Sequence, residues 1–159
     1  MLQRSGVPQS ELPDATPARV ADSYRELVGG YRERTEDQVR TFDAAGFSGE
    51  LTVGPIPFTS LCQHHVLPFA GEVTVRYEPA DRILGLSKFA RVVSIFGRRL
   101  QTQERLTRQI SDALERTLEP RALRVEVAAE HFCMRMRGVR QAGIVTKTVE
   151  SRKGDRYRT

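Results

Sequence analysis

Every cysteine and histidine of this chain lies in one of two short segments, far apart in sequence. The chain has two Cys and three His in 159 residues. Ser60-Leu61-Cys62-Gln63-His64-His65 carries one Cys and two His, and Glu130-His131-Phe132-Cys133 carries the rest. Such density is the pattern of a metal site, and one metal shared by both segments obliges the fold to bring them together. Cys62 and His65 stand three apart, and Cys133 adds a second thiolate. Two thiolates and one imidazole make three protein ligands with the fourth position open, which is the catalytic zinc pattern; a structural site is closed by four. On this reading His64 and His131 are free to move protons. Two distant Cys also suit a disulfide in a secreted protein. Residues 1–14, however, have no apolar run of the kind a signal peptide needs. A lone buried Cys is usually an inert small hydrophobe, and a His pair on a loop is often only solvated. The clustering is what favours Zn2+.

The length of 159 residues fits one domain with a single core. Hydrophobic content of 39% and charged content of 28% describe a globular chain. No apolar stretch approaches the length of a membrane span. Free-thiol chemistry without a targeting segment predicts a cytoplasmic protein. The net charge of +5 and pI near 9.7 suit an anionic partner, such as a phosphorylated small substrate. The basic residues are scattered, with local density at Arg98-Arg99, Arg135 to Arg140 and Arg152 to Arg158. Stacking aromatics are sparse, so a nucleic-acid binder is not expected.

Residues 1–15 read as a flexible lead-in and 16–159 as one domain. Thr16 is placed to cap a helix with Pro17 at its first position, and Val20, Tyr24, Leu27, Val28 and Tyr31 form its stripe. Gly29-Gly30 ends or weakens it, and residues 32–45 read as a short polar helix. Residues 50–62 form a strand that Pro55 and Pro57 mark as edge or bulged. Val73, Val75 and Tyr77 alternate with polar residues, as in a half-buried strand. Ser87 is placed to cap a helix bearing Phe89, Val92, Val93 and Phe96. Leu106, Ile110, Leu114 and Leu118 mark a second helix, stopped by Pro120. Leu123, Val125, Val127 and Ala129 alternate along a third strand, and residues 140–150 give a fourth. If the third strand stays regular, His131, Cys133, Arg135 and Arg137 share one face, which suits an anionic substrate near a metal. Phe132, Met134 and Met136 fall on the other face.

Several of these segments, in order, resemble the GTP cyclohydrolase I family. They are Phe58 to Phe69 with its Cys-Gln-His-His core, Leu84-Gly85-Leu86-Ser87-Lys88 with Arg91, Gln101 to Thr107, and His131-Phe132-Cys133 followed by Met136-Arg137-Gly138-Val139. Thr16 to Ala21 is similar to the family's early helix. The resemblance implies an α+β tunnelling fold (T-fold): a four-stranded antiparallel sheet with a helix pair between two hairpins, preceded by an N-terminal helix. It implies a homo-oligomer of two stacked rings with active sites at subunit interfaces, and no membrane or nucleic-acid partner. It implies hydrolysis of the five-membered ring of GTP with formate release, and re-closure to 7,8-dihydroneopterin triphosphate, the entry into pterin and tetrahydrofolate biosynthesis. Position by position, Cys62, His65 and Cys133 match the family's zinc ligands. His131 then protonates the guanine ring nitrogen, and His64 with Ser87 serves later proton transfers on the sugar. Gln103 and Glu104 read guanine, while Lys88, Arg91, Arg137 and Arg19 neutralise the triphosphate.

Three positions depart from the family, one of them Pro55, which is unusual in its strand. Gln63 stands where Glu is usual, and Asp22 stands one turn after Arg19 where Lys is frequent. These departures keep open a paralogue acting on a GTP-related nucleotide. A non-catalytic zinc-binding interaction protein of the same fold is a further alternative, against which intact His64, His131, Ser87 and Glu104 argue. A related-fold nitrile reductase would need a Cys outside the metal set, and both Cys are already used.

Overall fold

The structure is a computed structural model that describes residues 2–152. The basic run beyond Arg152 lies outside the described residues. After two short 3-10 turns, at Leu2–Ser5 and Gln9–Glu11, the elements run in this order. Helix α1 is Thr16–Leu27, followed by a 3-10 turn at Gly29–Arg32 and strand β1, Thr41–Asp43. Strands β2 (Leu51–Cys62), β3 (Pro68–Glu78) and β4 (Arg82–Leu84) come next. Helix α2 (Leu86–Gly97), strand β5 (Leu100–Gln101) and helix α3 (Gln103–Leu118) follow. Strand β6 (Ala122–His131), the one-turn helix α4 (Phe132–Arg135) and strand β7 (Val145–Arg152) complete the chain.

The main sheet has the order β5-β2-β3-β6-β7. Its four long strands are antiparallel neighbours, and β5 adds two residues parallel to the end of β2. This is the expected four-stranded sheet of two hairpins with a helix pair between them. The alternating residues of β3 and β6 explain how it is held. Val73, Val75 and Tyr77 are buried opposite Val127, Val125 and Leu123. Helices α2 and α3 cover that face with Phe89, Val92, Phe96, Leu106, Ile110 and Leu114. Each such side chain taken from water contributes roughly 1.5–3 kcal/mol. The sheet tolerates no side chain at Gly71, because a Cβ there would stand 1.9 Å from the Ala128 carbonyl oxygen on the next strand.

Helix α3 begins where Thr102 accepts the Arg105 N–H on its hydroxyl, 3.2 Å away. It ends at Glu119, whose φ of 45° is left-handed, just before Pro120. Pro55 produces the expected irregularity in β2: the register shifts between Val53 and Ile56. Strand β2 is also an edge over most of its length, since β5 pairs only with Leu61 and Cys62. Among the described residues no strand pairs with the far edge of β7.

Three expectations need correction. Residues 32–45 form no helix; they turn and then give β1, which pairs with β4 in a separate two-stranded sheet. That pairing joins Thr41-Phe42-Asp43 to residues forty positions away, and three residues carry too little local pattern to reveal it. Thr16 is the first helical residue rather than the cap, which is Ala15. Ser87 sits inside the first turn of α2, and Gly85 is at the cap. On the apolar stripe of α1, Val20, Tyr24 and Leu27 are 46%, 40% and 42% exposed, while Val28 is half-buried. The segment is docked through Gly30, whose N–H donates to the Arg98 carbonyl at 2.9 Å. A Cβ at Gly30 would lie 2.0 Å from the Ile95 carbonyl oxygen, so only glycine permits this approach.

Candidate functional site

Cys62 closes β2 and opens a tight turn. Its N–H donates to the Leu67 carbonyl at 2.8 Å, and its own carbonyl accepts from Val66 at 2.8 Å and His65 at 3.3 Å. Val66 takes a left-handed φ of 54°. The root of the turn is fixed by β5, because the Gln63 N–H donates to the Gln101 carbonyl at 2.9 Å. Gln101 is itself buried, donating its side-chain amide to the Phe96 carbonyl and Gln109 and accepting from Arg105. The tip is open: Gln63, His64, His65 and Val66 are exposed. His64 Nδ1 lies 3.7 Å from the Cys62 sulfur.

The second segment is held more tightly. His131 ends β6 directly opposite Phe69 on β3. The two rings stack in parallel, with an interplanar angle of 1° and centroids 4.8 Å apart. His131 Nε2 meets the Gln103 side-chain oxygen at 2.9 Å. The chain then leaves the strand, and Cys133 stands on α4. The expectation that one strand face carries His131, Cys133, Arg135 and Arg137 is therefore wrong. A helical turn replaces the two-residue period, and it is this turn that folds Cys133 back beside His131. The ligand atoms of Cys62, His131 and Cys133 all lie within 4.8 Å of one another. Arg135 instead pairs with Glu130 at 3.2 Å and covers the Phe132 ring.

Burial pushes the Cys133 thiol up, and the adjacent Cys62 pushes it further; a backbone hydrogen bond and the charge of Arg137 act the other way. Burial lowers the basicity of His131, and the nearby Glu104 carboxylate partly offsets it. Two neighbouring thiols resist double ionisation unless a cation is present, whereas a coordinating metal deprotonates them outright. Paired thiols beside an imidazole are the donor set that zinc prefers.

The other expected residues divide. Glu104 and Arg137 act electrostatically on His131 and Cys133, so both belong to this region. Gln103 is there too, but as an interior residue. It is 2% exposed, and its amide donates to the Val127 and Thr146 carbonyls. Ser87 and Arg91 lie on the exposed side of α2, where Arg91 donates to Gln38 at 3.0 Å. Lys88 is half-buried in the same first turn, and Arg19 is exposed on α1. His65 is not among the converging ligand atoms; His131 takes that place. Sequence reasoning gave Phe69 no role. The strand register, which pairs it with His131, was the signal that could have found it.

The sheet, its helix pair and a cluster of two thiols and an imidazole at one sheet end define a tunnelling-fold protein with a candidate metal site. A solved structure of the archaeosine synthase QueF-Like in the apo form shares the fold. Its TM-score is 0.54 at 18% identity, covering 68% of this chain and 95% of that one. The family model for GTP cyclohydrolase I matches residues 2–156, and the chain belongs to that family. It is 50% identical over 135 residues to GTP cyclohydrolase 1 of Allorhizobium ampelinum, covering 84% of this chain and 67% of the relative. It is 49% identical over 135 residues to GTP cyclohydrolase 1 of Brucella canis, covering 84% and 63%. The chain thus spans about two thirds of the length of these curated relatives.

Proposed function

We propose that the chain hydrolyses the five-membered ring of the guanine of GTP, releases formate and closes the product to 7,8-dihydroneopterin triphosphate. One observation carries the reading: in a member of this family, two segments remote in sequence bring Cys62, His131 and Cys133 together. The donor set fits zinc, held by Cys62 and Cys133 with His65 as the third ligand. When bound, such a metal supplies Lewis acidity and activates water at neutral pH. His131 handles the proton of the guanine ring nitrogen. His64, beside Cys62, serves later transfers on the sugar together with Ser87. Glu104 accepts N–H donors of the base edge. Lys88, Arg91, Arg137 and Arg19 neutralise the triphosphate.

Ser87 and Arg91 face outward from α2, so we place them in the site of a neighbouring copy within a ring-shaped homo-oligomer. The free edges of β2 and β7 and the exposed apolar residues of α1 support association. We place the protein in the cytoplasm, in keeping with its free thiols; no described helix is long and apolar enough to cross a membrane. The test is to incubate zinc-loaded protein with GTP, GDP, GMP and guanosine and assay formate and pterin fluorescence. Formate release from GTP is the expected result, and metal-loaded protein that releases none from any of the four overturns the reading.

A further inference from the structure

Gln103 is a buried polar side chain beside the cluster, and both its amide protons and its oxygen are engaged. Its amide nitrogen donates to the Val127 carbonyl at 3.0 Å and to the Thr146 carbonyl at 2.9 Å, one on each of the two last strands. An amide NH2 has two protons, and both are used. The reverse placement would set the amide oxygen against two carbonyl oxygens in a buried site, leaving polar groups unsatisfied. The amide orientation therefore follows from its partners. The atom left facing His131 Nε2, at 2.9 Å, is Oε1, and an amide oxygen only accepts. Nε2 must then carry a proton, and in the neutral ring the lone pair falls to Nδ1. A ring flip would turn a carbon toward Oε1, and the parallel stack on buried Phe69 holds the ring plane.

We propose that Gln103 is a positioning residue that holds His131 as the Nε2–H tautomer, with the Nδ1 lone pair left for the chemistry of the site. The kinetic consequence rests on the proposed function; the tautomer does not. Neutral His131 has no proton to give at Nδ1 until it has accepted one there. It acts first as a base and then as an acid, through the same atom. An O–H bond of the attacking water breaks and its proton passes to Nδ1. As the water oxygen bonds to the ring carbon, the guanine ring nitrogen takes the electron pair of the C=N π bond and accepts that same proton from Nδ1. Between the two steps the Nε2–H bond to Gln103 stabilises the imidazolium as a charge-assisted hydrogen bond. Reading the base is left to Glu104, the next residue, whose side chain is on the exposed side of α3.

The experiment compares the zinc-loaded parent with Gln103→Met and Gln103→Glu. Selectively 15N-labelled histidine reports the tautomer of His131 by long-range proton–nitrogen correlation. The parent should show the proton on Nε2. Gln103→Glu keeps an acceptor oxygen and should keep that tautomer, whereas Gln103→Met should lose it. In parallel, kcat for GTP should fall about 10–100-fold in Gln103→Met, as for outer-shell partners generally. KM should change less than about threefold, and Gln103→Glu should recover most of the loss. Both variants give up the pair of amide donations to Val127 and Thr146. Equal losses of kcat and Tm in the two would mean that Gln103 is only a structural tie, and would overturn the proposal. So would a parent with its proton on Nδ1, or a rise in KM at constant kcat. A parent with the Nε2–H tautomer and no turnover would instead remove the proposed function and leave the tautomer standing.

Discussion

His131 and the His64–His65 pair have the same chemistry and opposite surroundings. His131 is stacked on one buried ring and hydrogen-bonded to a buried amide. His64 and His65 stand exposed on a turn whose backbone is fixed, with their rings edge-on to one another and His64 3.7 Å from the Cys62 sulfur. One imidazole is thus held from two sides by buried groups, while the other two meet solvent. Preorganisation matters most for a group that must move a proton at a defined atom. A metal ligand is different, because the bond to the metal can itself supply the order, provided the backbone presents the side chain within reach.

Cys133→Ala is the largest test of this contrast, because it removes a donor from the tightly held half. Zinc content should fall from about one per chain to a small fraction of that, and formate release should vanish with it. Far-UV circular dichroism should be unchanged, since Cys133 lies on a one-turn helix outside the main core. Full zinc occupancy in the variant would remove Cys133 from the ligand set. The histidines come next. His65→Ala should lose metal, whereas His131→Ala should retain it and lower kcat by roughly 10²–10⁴, the usual range for a positioned acid–base group. If metal analysis gives the reverse, His131 is the third ligand, as its position beside the two sulfurs would suit, and the prearranged group is the one that binds.

Much of this contrast was legible in the chain, and the reasons for the rest are physical. The α3 stripe of Leu106, Ile110, Leu114 and Leu118 and the alternation along β6 repeat over many residues, so period alone identified them. Pro55 announced the irregularity of β2 because proline cannot serve a ladder. The change from strand to helix at Phe132 left no such trace: one turn is too short for a period, and the alternating pattern of 123–129 ran straight into it. The burial of Gln103 leaves no trace for a different reason. A polar residue following a helix cap has the same local appearance whether it faces solvent or the interior. Only β6 and β7, packed against α3 by tertiary contact, supply the carbonyls that fix its amide. The convergence of Cys62 with Cys133 was anticipated from residue type, but the presence of His131 among the ligand atoms was not.

Glu104→Gln extends the comparison to the substrate side. Glu104 follows Gln103 directly, yet it is exposed while Gln103 is buried. Its carboxylate should matter for holding the base and not for the fold. Loss of a charged acceptor is expected to cost about 1–3 kcal/mol, read as a fall of kcat/KM for GTP by roughly 10–100-fold at unchanged metal content and Tm. Unchanged kinetics would make Glu104 a solvated residue of α3, and the prearranged part of the site would then end at Gln103.

The smallest effect is expected on α1, where nothing is held in place by burial. Asp22 stands where the resemblance to the family leads one to expect a cation, so repulsion of the outer phosphates of GTP is the natural concern. The structure weakens that concern. Asp22 forms an ion pair with Arg25 at 2.5 Å, and both side chains are about two thirds exposed. A neighbouring guanidinium offsets most of the carboxylate's field at distance, and solvent screens what remains. Exposed pairs of this kind contribute about 0.2–1 kcal/mol. Asp22→Lys should therefore lower KM for GTP by less than about fivefold, more than for guanosine, and the gain should disappear as salt rises. A larger, salt-resistant gain would show that Asp22 becomes buried against the phosphates in the assembled protein, and that α1 is as ordered in the working site as His131 is in the single chain. An equal change for GTP and guanosine would show that Asp22 senses no phosphate at all.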